Sequence, residues 1–430
     1  MPLIQQTTSK GRENEMGPLR RNVILSAISM AANFALPLAT LPFLAKALGV
    51  DGFGKLAVAQ ATTIFLCQLV DFGFILVAAR QVATAKTQAE VNAIYSNTQN
   101  TRLLLAIAST LVIATLALSN ALPISNVLLL ATTAPAIIGS ALQATWFFQG
   151  KGYFGWLAIA NLLSKSSLLI AIIFLVQNEN HLNLSGFLFG LSYLTSGILL
   201  HIAALRTGTQ WKIRIRLSES KVNLRNGAHA FISLALLSFH TQLLITLTGI
   251  FATPAAAGLL LTTDRIVRGI SAAAIPFANA LFPVFSGLYT SENNRAHTLR
   301  RRVLFLLISV SFLGALLLFF SADYIASVMM PGSAAELAYF LRIASPMPIL
   351  VSIGVVYGGL TLIPAGHDRD YLQAILIAEI FALLVFSLSA FLSPDTSGLT
   401  AVIAAESALA VLMLMAVQKR IRDKTLFKTS

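Results

Sequence analysis

The sequence predicts an all-α protein that crosses a membrane about twelve times, as two six-helix lobes with a central cavity. The first observation is composition. Of the 430 residues, 56% are hydrophobic and only 11% are charged, with a mean hydropathy of +0.78. Soluble domains carry about 25% charged residues, so this composition excludes an ordinary soluble protein. The second observation is a series of apolar runs near the roughly 20 residues that a helix needs to cross a bilayer.

Short polar segments separate these apolar runs, and the longest of them divides the runs into two groups of six. The first group lies near 21–45, 54–79, 102–121, 126–149, 155–177 and 184–205. The second group lies near 229–251, 256–285, 302–320, 338–364, 371–393 and 398–418. The run that begins at Val23 is too long for the apolar part of a signal peptide, so we expect an uncleaved first helix.

The spans also predict the domain organisation. We expect a tail at 1–20, an N-terminal lobe at 21–205, a basic linker at 206–227, a C-terminal lobe at 228–418 and a tail at 419–430. The turn after the first span of each lobe contains a glycine in a matching place, Gly54 and Gly258. Six helices per lobe give the two repeats the same orientation, as in transporters whose halves rock about a central site. This organisation favours transport.

The net charge is strongly positive, and the distribution of the cations among the loops predicts the orientation of the chain in the membrane. There are 30 Lys and Arg residues against 17 Asp and Glu, a net charge of +13. On the predicted spans, 24 of the cations, Arg102 among them, fall on the side that holds both termini, against only Lys46 and Lys55 on the other side. Cytoplasmic loops of membrane proteins accumulate Lys and Arg. We therefore expect both termini in the cytoplasm, and the basic character implies no nucleic-acid partner.

Two segments near the first two spans carry a resemblance to a known family. One is LAKALGVDGFGKLA at 44–57, and the other is VDFGF at 70–74, followed by ARQVA at 79–83. Together they resemble the O-antigen flippases (Wzx type) of the multidrug/oligosaccharidyl-lipid/polysaccharide exporter superfamily. The resemblance covers the whole chain in length and topology, and its sequence-specific part lies in about the first 85 residues.

This resemblance implies a V-shaped, MATE-like pair of six-helix lobes in the bacterial inner membrane. It implies movement of an undecaprenyl-pyrophosphate-linked oligosaccharide from the cytoplasmic to the periplasmic leaflet. The expected partners are the lipid-linked oligosaccharide, membrane lipids and other polysaccharide-assembly proteins.

Two other functions are open alternatives. The first is a cation-coupled multidrug exporter of the same superfamily. Such exporters favour cationic substrates and an acidic cavity. Here the predicted spans contain four cations and four acids, so we expect a cavity that is close to neutral. The second is a membrane polysaccharide polymerase or ligase, which needs a large external loop for its chemistry. The longest external segment is about seventeen residues, so this alternative ranks below the other two.

The candidate substrate site is a cluster of charged residues in the eighth predicted span: Asp264, Arg265 and Arg268. A charge at the bilayer centre costs about 2.5–3.5 kcal/mol on insertion scales, so each such residue is a functional candidate. Asp264 and Arg268 are four residues apart and can pair. Arg265 lies about 100° away, so Asp264 cannot easily neutralise both cations and one arginine is left for an external anion. Both Arg265 and Arg268 are substrate-binding candidates, because a guanidinium matches phosphate oxygens bidentately. The alternative is an ion-pair network that holds helices together.

Two other cations are substrate-binding candidates. Lys165, in the fifth span, is a candidate for an anionic ligand. Arg80 follows the second span, at headgroup level, where it either snorkels to the interface or meets the substrate phosphate. Arg342 near the start of the tenth span is expected at the interface, paired with Glu336.

Four acids are candidates for ion coupling or for pairing between lobes: Asp71, Asp264, Glu379 and Glu406. Asp71 is interpreted as a lobe-to-lobe ion pair, as a proton or sodium site, or as a structural partner of a neighbouring group. Glu379 and Glu406 have no obvious cation on their own helices. Each is expected either to carry a proton or to pair with Lys165 or Arg268 across the cavity.

Signals for an enzyme are weak, so we expect no catalytic residues, no cofactor and no metal site. The DxD sequence at Asp368–Asp370 lies in a turn of a few residues, with no domain to hold a sugar nucleotide. The six histidines are scattered, the single cysteine is Cys67, and no GxxxxGK[ST] phosphate-binding loop occurs.

Overall fold

The computed structural model describes residues 6–119, 127–214, 216–272, 274–291 and 293–423, and the regular secondary structure in these ranges is all helical. The helices that correspond to the predicted N-terminal lobe are α1 (Gln6–Asp71), α2 (Phe74–Thr84), α3 (Gln88–Ser119), α4 (Val127–Thr132), α5 (Pro135–Leu142), α6 (Thr145–Lys151), α7 (Phe154–Leu175) and α8 (Leu182–Arg206). Those that correspond to the predicted C-terminal lobe are α9 (Leu217–Phe251), α10 (Pro254–Ser271), α11 (Ala274–Ser291), α12 (Asn293–Met329), α13 (Ala334–Ala344), α14 (Met347–Gly354), α15 (Asp368–Leu392) and α16 (Ser397–Arg422). A π-helical stretch, Val355–Leu362, continues α14, and short 3₁₀ turns lie at Glu179–His181, Pro331–Ser333 and Pro394–Thr396.

The predicted class, an all-helical membrane protein, is confirmed. Within the described residues, eight helical stretches are long and apolar enough to cross a membrane. They are Ala31–Thr84, Leu128–Lys151, Phe154–Leu175, Glu179–Arg206, Arg295–Met329, Pro331–Leu362, Asp368–Leu392 and Pro394–Arg422. The first of these contains two predicted spans, on either side of Gly49, where the backbone leaves the helix (φ 67°, ψ 174°). The three other predicted spans fall on α3, on α9 and on α10 with α11.

Several predicted spans are broken rather than continuous, and the breaks have local causes. The second span was expected to continue to residue 79, but α1 ends at Asp71, and Phe72 and Gly73 take left-handed conformations (φ 38° and 73°). The Phe72 ring stacks on Phe231 of α9, with ring centroids 4.4 Å apart. The fourth span breaks before Pro135, because proline cannot donate the backbone hydrogen bond that a continuous helix needs.

The turns of both lobes gather at one end of the bundle, which we call the turn end. There, the hydroxyl of Thr253 donates a hydrogen bond to Asp395 (3.1 Å), and Gly49 lies against Glu179. The opposite end, called the tail end, contains the start of α15 and the end of α16, which are joined by an ion pair between Asp370 and Arg420 (2.6 Å).

The hydrophobic core shows that the lobes meet at the turn end and separate towards the tail end. The largest core cluster contains side chains from both lobes, among them Leu48 and Leu56 of α1 and Leu260 of α10. Two further clusters belong to one lobe each. One, built around Trp146, lies in the N-terminal lobe, and the other, built around Phe285, lies in the C-terminal lobe. The lobes are thus joined most extensively at the turn end and open towards the tail end like a V, where the start of α9 still contacts α2 and α3.

Two glycines make the contact at the apex of this V possible. A Cβ on Gly54 would overlap the carbonyl oxygen of Pro254, so only glycine allows α1 and the start of α10 to approach this closely. A Cβ on Gly258 would lie 3.2 Å from the Cα of Gly54. The two glycines that the sequence places at matching points of the repeats therefore face each other across the lobe interface.

Substitution Gly54→Ala is expected to weaken this apex, because the new methyl group forces α1 and α10 apart at a backbone contact. Overpacking of this kind typically costs about 1–3 kcal/mol. We expect a lower thermal unfolding midpoint of the detergent-purified protein than for the control Gly269→Ala, since a Cβ there meets no atom within 4 Å. Equal midpoints for the two variants would contradict the apex contact.

Candidate functional site

A cavity of about 270 Å³ lies in the N-terminal lobe, and Arg265 of the C-terminal lobe also reaches it. Polar and charged side chains of four helices line this cavity. The polar and charged residues that line it are Asn33, Thr40 and Gln60 of α1, Lys165 of α7, Ser185 and Tyr193 of α8, and Arg265 of α10. We call this space the cation cavity. It brings together two of the predicted substrate-binding residues, Lys165 and Arg265.

The position of the cation cavity along the helices corresponds to the middle of a bilayer. Gln60 is eleven residues from the break at Gly49, and Arg265 is eleven residues from the start of α10. Lys165 is ten residues from the end of α7. At 1.5 Å per residue these distances are about 15–17 Å, roughly half of the 30 Å hydrocarbon core.

Neither cation of the cavity forms an ion pair within the part of the chain that the structure describes. The guanidinium of Arg265 donates from Nη2 to the Oε1 atom of Gln60 at 3.0 Å. The Nζ atom of Lys165 lies 4.2 Å from the ring centroid of Tyr193, a cation–π contact. A neutral amide and an aromatic ring orient these cations without cancelling their charge, so the cavity is suited to an anion.

Arg268 lies in a different environment, inside the C-terminal lobe. Its Nε atom pairs with Asp264 at 2.7 Å, and its Nη2 atom donates to the hydroxyl of Thr241 at 2.6 Å. Glu406 of α16 lies 3.7 Å from the same nitrogen. The i,i+4 spacing thus produces the expected pair, and two carboxylates balance the charge of Arg268. Of the two arginines proposed from the sequence, only Arg265 lines the cation cavity.

Asp71 pairs within its own lobe, with a residue that sequence reasoning misplaced. The Nη2 atom of Arg102 lies 2.5 Å from Asp71 and also donates to the carbonyl oxygen of Ser140 at 2.5 Å. Arg102 was counted among the cytoplasmic loop cations, but its side chain is only 2% exposed. It lies well inside α3, which begins at Gln88. The available signal was Asp71 itself, because an acid at membrane depth requires a nearby cation.

The other candidates lie away from the cation cavity. Arg80 is exposed on α2, and Glu379 is half-buried on α15. Arg342 pairs with Asp323 of α12. The sequence predicts a pair with Glu336 instead, and this prediction is wrong.

The DxD sequence at the start of α15 has a structural role. Both side-chain oxygens of Asp370 accept hydrogen bonds from Arg420, at 2.6 and 3.0 Å, which ties α15 to α16. The described ranges contain no group of three or more His, Cys, Asp or Glu side chains placed to hold a metal ion.

Comparison with known proteins gives a family and a fold. The family described as "Polysaccharide biosynthesis protein" matches residues 19–289. A curated relative from Escherichia coli (strain K12), named "Putative O-antigen transporter", is 24% identical over 402 residues, which are 93% of this chain and 97% of the relative. A protein of the same name from Shigella dysenteriae is 26% identical over 373 residues, 85% of this chain and 91% of that one.

Two solved structures share the fold over nearly the whole chain. One is an inward-facing multidrug-resistance MATE transporter of the MOP superfamily, with a TM-score of 0.72 and 13% identity, covering 94% of this chain and 98% of that one. The other is the lipid II flippase MurJ in an inward closed conformation, with a TM-score of 0.71 and 16% identity, covering 92% and 87%. The MATE-like fold is thereby confirmed.

Substitution Asp71→Asn is expected to destabilise the protein strongly, because it leaves the buried Arg102 cation without its carboxylate. Breaking a fully buried pair from one side costs about 3–5 kcal/mol, and because the Asp71 side chain is 51% exposed we expect a loss near or below the lower end of this range. Thermal unfolding in detergent checks this against Asp51→Asn, which removes an exposed pair with Lys55 that is worth at most about 1 kcal/mol. A comparable loss in both variants would show that the Arg102 pair has no special role.

Proposed function

The chain belongs to the polysaccharide biosynthesis protein family, and from this membership we propose that it flips lipid-linked sugars across the bacterial inner membrane. The proposed substrates are undecaprenyl-pyrophosphate-linked oligosaccharide repeat units of O-antigen or a similar surface polysaccharide. The names of the two curated relatives support this assignment. The protein is a multi-pass membrane transporter rather than an enzyme.

The observation that carries the proposal is the pair of unneutralised cations at membrane depth. A pyrophosphate brings at least two negative charges, and Lys165 and Arg265 offer two positive charges in one cavity. Charge-assisted hydrogen bonds from a guanidinium to phosphate oxygens are short and strong. In this arrangement the pyrophosphate or an acidic sugar binds in the cation cavity, while the isoprenoid tail remains in the lipid.

The proposed mechanism is alternating access between the two lobes. The contact of Gly54 with Pro254 holds the turn end together, and Thr62 contacts Thr246 (3.3 Å between hydroxyl oxygens) deeper along the lobe interface. The charge asymmetry of the loops supports a cytoplasmic location for the tail end and both termini. The closed turn end then faces the periplasm, and substrate enters through the mouth of the V. Release requires the turn-end contacts to part.

The remaining charged candidates have proposed roles around this path. Arg80, exposed at the end of the bundle where substrate enters, is proposed to contact the phosphate before it reaches the cavity. Asp264 and Glu406 surround Arg268, with Glu379 on the neighbouring α15, and this cluster is the proposed place of ion coupling in the C-terminal lobe. Asp71 has the corresponding role in the N-terminal lobe.

The cavity charge also bears on the alternative of a cation-coupled multidrug exporter. Two cations without an ion-pair partner in the described part of the chain repel a positively charged drug. A flippase for an anionic lipid-linked sugar has the opposite requirement, and the cation cavity meets it.

In a strain that lacks the gene, lipid-linked repeat units are expected to accumulate on the cytoplasmic face. The wild-type gene should relieve this, whereas Arg265→Gln or Lys165→Gln should reduce surface polysaccharide at least tenfold. The reason is the loss of a charge-assisted hydrogen bond worth about 1.5–3 kcal/mol. The matched control is Arg342→Gln, which removes an arginine already paired with Asp323. Immunoblots of surface polysaccharide and leaflet-specific labelling of the lipid-linked pool measure these outcomes.

If deletion leaves surface polysaccharide intact and raises drug sensitivity, the multidrug alternative is correct. If Arg265→Gln and Arg342→Gln complement equally well at equal protein levels, the cation cavity is not the substrate site.

A further inference from the structure

The segment between α8 and α9 is held against α3 by its backbone. We call residues 209–214 together with Arg216 the basic strap. The backbone N–H of Gln210 donates to the side-chain oxygen of Asn92 (3.0 Å), and the backbone carbonyl of Gln210 accepts from the hydroxyl of Ser96 (3.3 Å). The amide of Lys212 also donates to Ser96, at 3.0 Å. These bonds bind main-chain atoms and leave the basic side chains free to point elsewhere.

A third residue of α3 completes the attachment. The side-chain nitrogen of Asn100 donates to the backbone carbonyl oxygens of Lys212 (3.0 Å) and Arg214 (3.1 Å). The side-chain oxygen of Asn100 accepts from the indole N–H of Trp211 (2.9 Å). The three α3 residues are spaced by four, so they lie on one face of the helix. The strap is therefore a preorganised segment rather than a loose connection.

The strap presents a row of cations. Lys212, Arg214 and Arg216 are all exposed, and alternate residues of an extended chain point to the same side about 6.5–7 Å apart. Arg216 pairs with Glu219 at 2.8 Å, and Lys212 and Arg214 form no ion pair among the described residues. Glu219 is the only acid in the sequence from 206 to 227, against six cations.

Large apolar side chains are exposed beside these cations. Ile213, Leu217 and Val222 are 69%, 72% and 58% exposed, although they lie outside the apolar spans. The Trp211 ring meets His201 at 4.7 Å between centroids, which places the strap beside the last turns of α8. Cations interleaved with exposed apolar residues at the end of a spanning helix are typical of segments that lie in the membrane interface.

We propose that the basic strap is a binding surface for anionic phospholipid headgroups of the adjacent leaflet. Lys212 and Arg214 bind headgroup phosphates, and Ile213 and Leu217 enter the boundary between headgroups and acyl chains. The strap thereby fixes the N-terminal lobe at headgroup level while the C-terminal lobe moves. This surface is separate from the cation cavity and independent of the transported substrate.

The test uses Trp211 as a reporter in the full-length purified protein. Brominated phosphatidylglycerol or brominated phosphatidylcholine is titrated into detergent-solubilised protein, and the quenching of Trp211 is taken as the difference between wild type and Trp211→Phe. Each cation near an anionic surface contributes about fivefold in affinity. We expect phosphatidylglycerol to reach half-quenching at a concentration at least tenfold lower than phosphatidylcholine does.

The double substitution Lys212→Gln/Arg214→Gln should abolish this preference, and it leaves the backbone bonds to α3 in place. The control Lys419→Gln/Arg422→Gln removes two cations from the end of α16, and this variant should retain the preference for phosphatidylglycerol. A second variant, Ile213→Ser, should weaken quenching by both lipids equally. The preference of the wild type should also decline as salt rises from 50 to 500 mM, since exposed charges are screened.

Equal quenching by the two lipids would overturn the proposal, as would a preference that survives in Lys212→Gln/Arg214→Gln. If neither lipid quenches Trp211 while soluble poly-glutamate changes its emission, the strap binds an acidic protein surface instead, and the proposal is wrong.

Discussion

A charge within a bilayer must be compensated, and this constraint organises most of the structure. In the N-terminal lobe, Arg102 is bound to Asp71 and to a backbone carbonyl. In the C-terminal lobe, Asp264 and Glu406 balance Arg268. Lys165 and Arg265 are different, because an aromatic ring and an amide hold them without an opposite charge. The compensation for these two is therefore expected from outside the chain, in the form of an anionic substrate.

The shape of the molecule places this pair of cations at mid-membrane depth, next to the contact between the lobes. The lobes share a core where Gly54 and Gly258 allow the helices to touch, and they have separate cores at the other end. The cation cavity lies on the N-terminal-lobe side of their contact, with Arg265 reaching it from the C-terminal lobe, about 15–17 Å from the turn end. A site at this depth, beside the interface of two repeats, is what alternating access about a central site requires.

Sequence alone predicts the helical membrane architecture, because hydropathy depends on composition over whole spans and tolerates local error. It fails where a feature depends on a tertiary neighbour. The break at Asp71–Gly73 accompanies the stacking of Phe72 on Phe231, which is distant in sequence. Arg102 resembles a loop cation until its partner is known. Helical spacing identifies the pair of Asp264 with Arg268. It does not show that Arg265, rather than Arg268, lines the cavity.

Direct binding of an isoprenyl pyrophosphate to purified protein is the most direct measure of the central claim. Wild-type protein should bind it at least 100-fold more tightly than the double variant Lys165→Gln/Arg265→Gln, with an affinity that changes little with salt because the site is buried. The corresponding isoprenyl alcohol, which lacks the charge, should not distinguish the two proteins. Equal affinity of wild type and double variant for the pyrophosphate would contradict the assignment of the cation cavity as the substrate site.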